Sequence, residues 1–237
     1  MWITAVILAG GSGKRMNTNM PKQYLMLDGK PLLYYSLKAF EDSLVNEVIL
    51  VTKAGEEAYC REEFVERYGF QKVSAIVAGG KERYHSVFEG LRAIKSCDYV
   101  MIHDGARPLI TPQMIEKVAE TVRQYRACVL GMPVKDTIQL TDEYGVITQT
   151  PKRSQVWQAQ TPQAFDFGMV RDAYERIVQE PAAEVTDDAM VVGHYYQIPI
   201  YMVAGSYTNI KVTTPEDIPM AEVFLRINKV NGETYIR

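Results

Sequence analysis

The sequence predicts an α/β protein with a mostly parallel central sheet and an inserted β-hairpin, on three observations. Short β-prone runs alternate with helical patterns along the 237 residues. The strand candidates are continuously apolar and bounded by helices, as strands covered on both faces are. One stretch near residue 140 breaks this rhythm with two short β-prone runs around an Asp/Gly turn. Helices on both faces of such a sheet make a Rossmann-like three-layer sandwich.

The elements follow in order. Ile3–Leu8 is an apolar run that breaks into glycines, the mark of a buried strand entering a loop. Helical patterns at Leu32–Glu41, Ala58–Tyr68 and Tyr84–Lys95 alternate with strand candidates at Glu47–Thr52, Lys72–Val77 and Tyr99–His103. A helix at Pro112–Tyr125, a strand at Ala127–Pro133, a helix at Phe167–Gln179 and a strand at Ile200–Val203 continue the pattern. Thr137–Leu140 and Val146–Thr150 flank Thr141–Gly145 as a hairpin. A lone hairpin is marginal in water, so it must pack on something, and a second subunit is a candidate. No repeat or Pro/Gly/Ser linker divides the chain. Residues 1–237 therefore read as one domain with an arm-like insertion at about 134–157.

Composition narrows the function. Hydrophobic residues make up 47%, enough for a sizeable core, and the formal charge of −3 is too near balance for a general nucleic-acid binder. No stretch has the length of a membrane span, and the N-terminus lacks a basic leader region. Cys60, Cys97 and Cys128 are odd in number and scattered without metal-ligand spacing, which points to free thiols in a reducing cytoplasm.

The chemistry starts at Leu8-Ala9-Gly10-Gly11-Ser12-Gly13-Lys14-Arg15-Met16, followed by Pro21-Lys22-Gln23-Tyr24. Glycines let the backbone approach phosphate oxygens and turn its N–H groups toward them. The pattern is neither G-x-x-x-x-G-K-[ST] nor a full G-x-G-x-x-G. A bare strand-to-helix turn would explain the glycines alone, but Arg15 and Lys22 add two cations suited to phosphoryl charge. Parallel sheets bind ligands beyond the carboxyl ends of their strands, where this loop and the Asp104–Pro108 segment both fall. Asp104 reads as a turn former or as a ligand for Mg²⁺ or substrate hydroxyls, and Arg107 as a structural ion-pair partner or a substrate contact. His103 reads as a packed strand-end histidine. A second glycine turn, Gly79-Gly80, opens a helix carrying Ser86. Thr161 before Pro162 suits a turn, Thr186 an N-cap, and Lys211 a solvated edge of a strand-like run.

L-A-G-G-S-G-K-R-M with P-K-Q-Y resembles the signature of sugar-phosphate nucleotidylyltransferases. Taken with D-G-A-R-P, P-V-K-D-T, Q-T-P-Q-A-F, T-D-D-A and N-I-K-V-T-T-P-E-D in this order, the chain from Ile3 to about Leu225 resembles the 2-C-methyl-D-erythritol 4-phosphate cytidylyltransferase family. The resemblance implies a CTP triphosphate wrapped by Ala9, Gly10, Gly11 and Gly13, with Arg15 and Lys22 as catalytic cations. It implies nucleotide contacts from Gly80, Ser86, Asp104 and Gly105, with Asp104 bearing on Mg²⁺. It places Arg107, Thr161, Thr186 and Lys211 around a sugar-alcohol phosphate, Lys211 also acting in catalysis. Thr137 and Arg153 fall on an arm that reaches the other subunit of a homodimer. Gly10 and Gly105 depart from the alanine common in relatives. Ribitol-5-phosphate cytidylyltransferases share the same loop and chemistry and are the nearest rival reading. A non-catalytic nucleotide-binding module would be expected to lose Arg15, Lys22 or Asp104, all of which are present. A nicotinamide-dependent dehydrogenase would want an acidic residue near position 52, where Thr52-Lys53 stands.

Overall fold

The computed structural model describes residues 1–11, 16, 21–180 and 184–230. Its frame is a seven-stranded sheet built from β1 (Ile3–Leu8), β4 (Glu47–Thr52), β5 (Val73–Ala78), β6 (Tyr99–Asp104), β7 (Ala127–Pro133), β10 (Trp157–Asp166) and β11 (Tyr201–Ala204). Across the sheet the order is β11-β7-β10-β6-β1-β4-β5. All pairings are parallel except those of β10, which runs antiparallel to both β6 and β7. The short β2 (Met26–Leu27) and β3 (Lys30–Pro31) form a separate hairpin, as do β8 (Leu140–Thr141) and β9 (Ile147–Gln149).

Alternation along β1 makes the layers. Ile3, Ala5 and Ile7 enter one core with Leu33, Tyr35 and Phe40 of α1 (Leu32–Glu41) and Ile115, Val118 and Val122 of α4 (Pro112–Tyr125). Val6 faces the other core with Val87 and Leu91 of α3 (Arg83–Ala93), Val170 and Tyr174 of α5 (Phe167–Ile177), and Val191 of α6 (Asp188–Tyr195). Both faces of the sheet are therefore apolar, which is why its strands read as unbroken hydrophobic runs. The C-terminal α7 (Asp217–Val230) joins the first core through Ala221 and Leu225.

Several expected elements differ. The helix expected over Ala58–Tyr68 is a short α2 (Glu57–Cys60) continued by a π-helical turn over Arg61–Glu66. Thr161 and Pro162 lie inside β10 rather than in a turn; the pairing with β7 shifts register between Ala159 and Gln163, which accommodates the proline. Lys211 lies in irregular chain after β11, not in a strand. The inserted hairpin has shorter strands than the sequence suggests, and its tip is closed by Asp142, whose carboxylate accepts from the N–H groups of Tyr144 and Val146.

The strand order positions the site. From β1 the chain proceeds outward through β4 and β5, then crosses back to β6 on the other side of β1. The sheet thus reverses its winding between β1 and β6, where a crevice opens beyond the carboxyl ends of the strands.

Candidate active site

A cavity of about 330 Å³ lies at that crevice. Leu8, Ala9, Gly10 and Gly11 line it from the end of β1, and Asp104 and Ala106 from the end of β6. Gly80, Lys81, Glu82, Arg83 and Ser86 contribute the loop and first turn of α3, and Lys22, Gln23 and Lys211 complete the lining.

Both glycine loops meet at Thr52, the last residue of β4. The N–H of Ala9 donates to the carbonyl of Val51 (2.6 Å), and the N–H of Gly79 to that of Thr52 (2.7 Å). A Cβ at Gly10 would sit 3.0 Å from the Thr52 carbonyl oxygen, and one at Gly79 would sit 2.7 Å from Ser86 Oγ. Glycine at these two points lets the loops lie against the strand end. Ser86 Oγ accepts from the Gly80 N–H (3.1 Å), closing the second loop across the start of α3.

The charged groups form a chain. Lys211 Nζ is 2.6 Å from Asp104 Oδ2, and Arg83 Nε is 3.3 Å from Asp104 Oδ1. The guanidinium of Arg83 then grips Asp188 with two bonds of 2.7 and 2.8 Å. Asp188 is fully buried and accepts a further 2.5 Å bond from the Tyr174 hydroxyl. Burial alone would raise the pKa of Asp104, but Arg83 and then Lys211 outweigh it and hold the carboxyl well below the usual range. Burial works against the charge on Arg83 too, and Asp188 more than restores it. Lys22 Nζ donates to the Val212 carbonyl (3.2 Å), so segments 190 residues apart close the same pocket.

The remaining candidate residues fall in different places. Gly13 and Arg15 lie outside the described residues. Gly105 sits behind the pocket, its N–H donated to the Leu8 carbonyl at 2.9 Å, and a Cβ there would press on the same oxygen at 3.0 Å. Arg107 is held by the carbonyls of Asn209 (2.9 Å) and Ala159 (3.4 Å), and burial lowers its pKa. Thr161 is buried in β10; its Oγ1 accepts from the Asp104 N–H (3.0 Å) and lies 3.1 Å from His103 Nδ1. Thr186 is exposed, and the N-cap of α6 is its neighbour Asp187, which accepts from the Met190 N–H. Thr137 and Arg153 stand exposed on the arm, with Arg153 donating to the Lys135 carbonyl (3.4 Å). Of these, none of the described residues lines the cavity. His103 is fully buried, and burial pushes its pKa down to about 3, so it stays neutral and packs against Phe40.

Two lining residues take their roles from the fold and not from the sequence. Arg83 is set by Asp188, 105 residues away in the chain. Gln23 follows Lys22 and is 2% exposed, and its buried Nε2 has no hydrogen-bond partner. A buried amide donor without an acceptor is costly unless a ligand supplies one. Backbone N–H groups, Lys22, Arg83, Lys211 and Gln23 around one carboxylate suit a polyanion that arrives with a cation. Among the described residues no cluster of three His, Cys, Asp or Glu side chains offers a resident metal cage.

The family model for 2-C-methyl-D-erythritol 4-phosphate cytidylyltransferase matches residues 3–227. A protein of that name from Lachnoclostridium phytofermentans is 50% identical over 224 residues, covering 94% of this chain and 96% of the relative. One from Lachnospira eligens is 49% identical over 225 residues, covering 94% and 99%. Among solved structures, the 4-diphosphocytidyl-2C-methyl-D-erythritol synthase of Anaerococcus prevotii superposes with a TM-score of 0.84 at 31% identity, covering 95% of this chain and 96% of that one.

Proposed function

The chain belongs to the 2-C-methyl-D-erythritol 4-phosphate cytidylyltransferase family, and on that premise we propose how its residues carry out the reaction. The enzyme joins CTP and 2-C-methyl-D-erythritol 4-phosphate, giving 4-diphosphocytidyl-2-C-methyl-D-erythritol and pyrophosphate for isoprenoid synthesis. The observation that carries the reading is the cavity where two glycine loops, Lys22 and Lys211 face the carboxylate of Asp104.

The acceptor phosphate has a second pKa of roughly 6 and is already largely dianionic at neutral pH, so it needs no general base. It attacks the α-phosphorus of CTP and pyrophosphate leaves in line. The barrier is the approach of one anion to another. The backbone N–H groups of Gly10 and Gly11, beside Ala9, receive phosphate oxygens, Gly80 and Ser86 meet the cytosine and ribose, and Gln23 Nε2 supplies one more donor. Lys22, with Arg15 beyond the described residues, offsets charge on the triphosphate. Lys211 is a second cation on the same cavity, available to draw the acceptor phosphate into line.

The donor set fits Mg²⁺. Asp104 is kept ionised at the cavity, and each of its oxygens retains acceptor capacity beyond the bond it already makes. A single carboxylate with substrate phosphates is the usual setting for that ion. When bound, the ion supplies electrostatic stabilisation of the triphosphate oxygens.

Arg107, Thr161 and Thr186 are assigned to the acceptor side on the family resemblance. Thr137 and Arg153 are assigned to the acceptor of a second subunit. Support for a homodimer comes from the arm, where Tyr144 (82% exposed), Val146 and Ile147 present apolar surface. Residues 1–237 act as one catalytic unit. No helix among the described residues is long and apolar enough to cross a membrane. Free Cys60, Cys97 and Cys128 agree with a reducing cytoplasm.

The test is pyrophosphate release from CTP with methylerythritol 4-phosphate and ribitol 5-phosphate offered separately. Release with methylerythritol 4-phosphate at a kcat/KM at least about 10²-fold higher supports the assignment. The names of the relatives above favour that acceptor. Equal rates with both acceptors would contradict it.

A further inference from the structure

Beneath the cavity runs an alternating line of charges, Asp188, Arg83, Asp104 and Lys211, that begins at a tyrosine with no access to substrate. Tyr174 is on α5 and fully buried; its hydroxyl donates to Asp188 Oδ1. Asp188, in the first turn of α6, engages Arg83 through both terminal nitrogens, leaving Nε for Asp104 Oδ1. Asp104 Oδ2 is thereby left to Lys211. The start of α6 is itself fixed to the sheet, because Gln163 of β10 accepts from the Ala189 N–H (2.9 Å) and donates to Asp187 (3.3 Å).

Stability is a weak reason for such an arrangement. A buried ion pair costs about as much to desolvate as its attraction returns, and an apolar pair of the same volume often serves as well. A bidentate Arg–carboxylate pair does, however, fix the plane of the guanidinium. Here that plane decides where Nε points, and hence which oxygen of Asp104 remains for Lys211.

We propose that Arg83 is a positioning residue for cytidylyl transfer: held by Asp188 and Tyr174, it orients Asp104, and through Asp104 it sets Lys211 for catalysis. The proposal rests on the reaction assigned above. Arg83 also joins the second glycine loop to the start of α6, so the same contact registers the two sides of the site.

A double-mutant cycle tests this. Arg83→Gln lowers kcat by about tenfold or more in the otherwise natural chain, a coupling ordinary for residues in one network. In a Lys211→Gln background the same change costs less than about twofold, because the group it positions is gone. Tyr174→Phe removes one hydroxyl far from substrate. It lowers kcat by a few-fold alone and by nothing further in the Lys211→Gln background, and it serves as the cycle should Arg83→Gln fail to fold. Equal losses in both backgrounds would overturn the relay, as would a Tyr174→Phe protein that melts lower but turns over at the natural rate. Pyrophosphate release by the unaltered enzyme in the same assay separates the two readings. If that is absent, the assigned reaction fails; if it is present and the cycle is additive, only the relay fails.

Discussion

Lys211 Nζ and Asp104 Oδ2 are 2.6 Å apart, linking irregular chain after β11 to the last residue of β6. The pair places a cation at the mouth of a parallel sheet without committing it to a strand. Lys211→Met keeps much of the stem and removes the charge. It should lower kcat on the order of 10²-fold, the usual cost of losing one donor to developing charge. Steady-state kinetics that showed only a raised KM would assign Lys211 to ground-state binding instead.

Arg153 stands exposed on the arm and does not line the cavity; the proposed dimer would bring it to the acceptor of a second copy. Arg153→Ala should weaken binding of methylerythritol 4-phosphate about tenfold and leave CTP affinity within a factor of two, as loss of one charged contact implies. Calorimetry with each ligand checks this, and equal losses for both would remove Arg153 from the acceptor site.

Gly90 lies in the middle of α3 where the helix crosses the sheet. A Cβ there would fall 2.4 Å from Val6 Cγ1 and 3.0 Å from Val51 Cγ2. Alanine gains about 1 kcal/mol in helix propensity. Overpacking against two immobile, fully buried valines costs about 1–3 kcal/mol. The second term should win, so Gly90→Ala should lower the denaturant midpoint at an unchanged m-value. A higher midpoint would show that α3 can lift from the sheet at little cost.

Burial pushes the Cys60 thiol up to about 11 and the Cys128 thiol to about 12. The folded chain therefore holds these protons where the unfolded chain, near 9, releases them. Up to that pH the thiols add no pH dependence; as pH rises past about 9 they cost stability until the folded values are reached. At pH 8 the native protein should consume a thiol reagent far more slowly than the denatured one. Rapid labelling of Cys128 in the native state would contradict its burial.

Much of this fold is legible in the residues. β1, β4 and β7 and the helices α1 and α4 fall at the bounds their patterns predict, since unbroken apolar runs and a proline at the first helical position leave little choice. β10 is not legible. Its Gln160, Thr161, Pro162 and Gln163 argue against a central strand, and their partners are distant in sequence: Ser206, the Asp104 N–H and the start of α6. α6 is hidden for a similar reason, because Val191, Val192, Gly193 and Tyr195 are poor helix formers and tertiary packing of α5 against α6 decides the outcome. The glycine loop, Lys22 and Asp104 were visible as motifs. Arg83 was not, and Gln23 stood in P-K-Q-Y without a role, since a charge beside a helix start and an amide beside a lysine acquire meaning only from what lies under them.

The central claim is that the acceptor phosphate attacks the α-phosphorus of CTP within this cavity. Methylerythritol 4-phosphate carrying ¹⁸O on its phosphate tests it directly, with the products read by ³¹P NMR. Attack at the α-phosphorus predicts ¹⁸O in the bridge of the diphosphocytidyl product and none in the released pyrophosphate. Label in the pyrophosphate, or CTP consumed without a bridged product, would contradict the account.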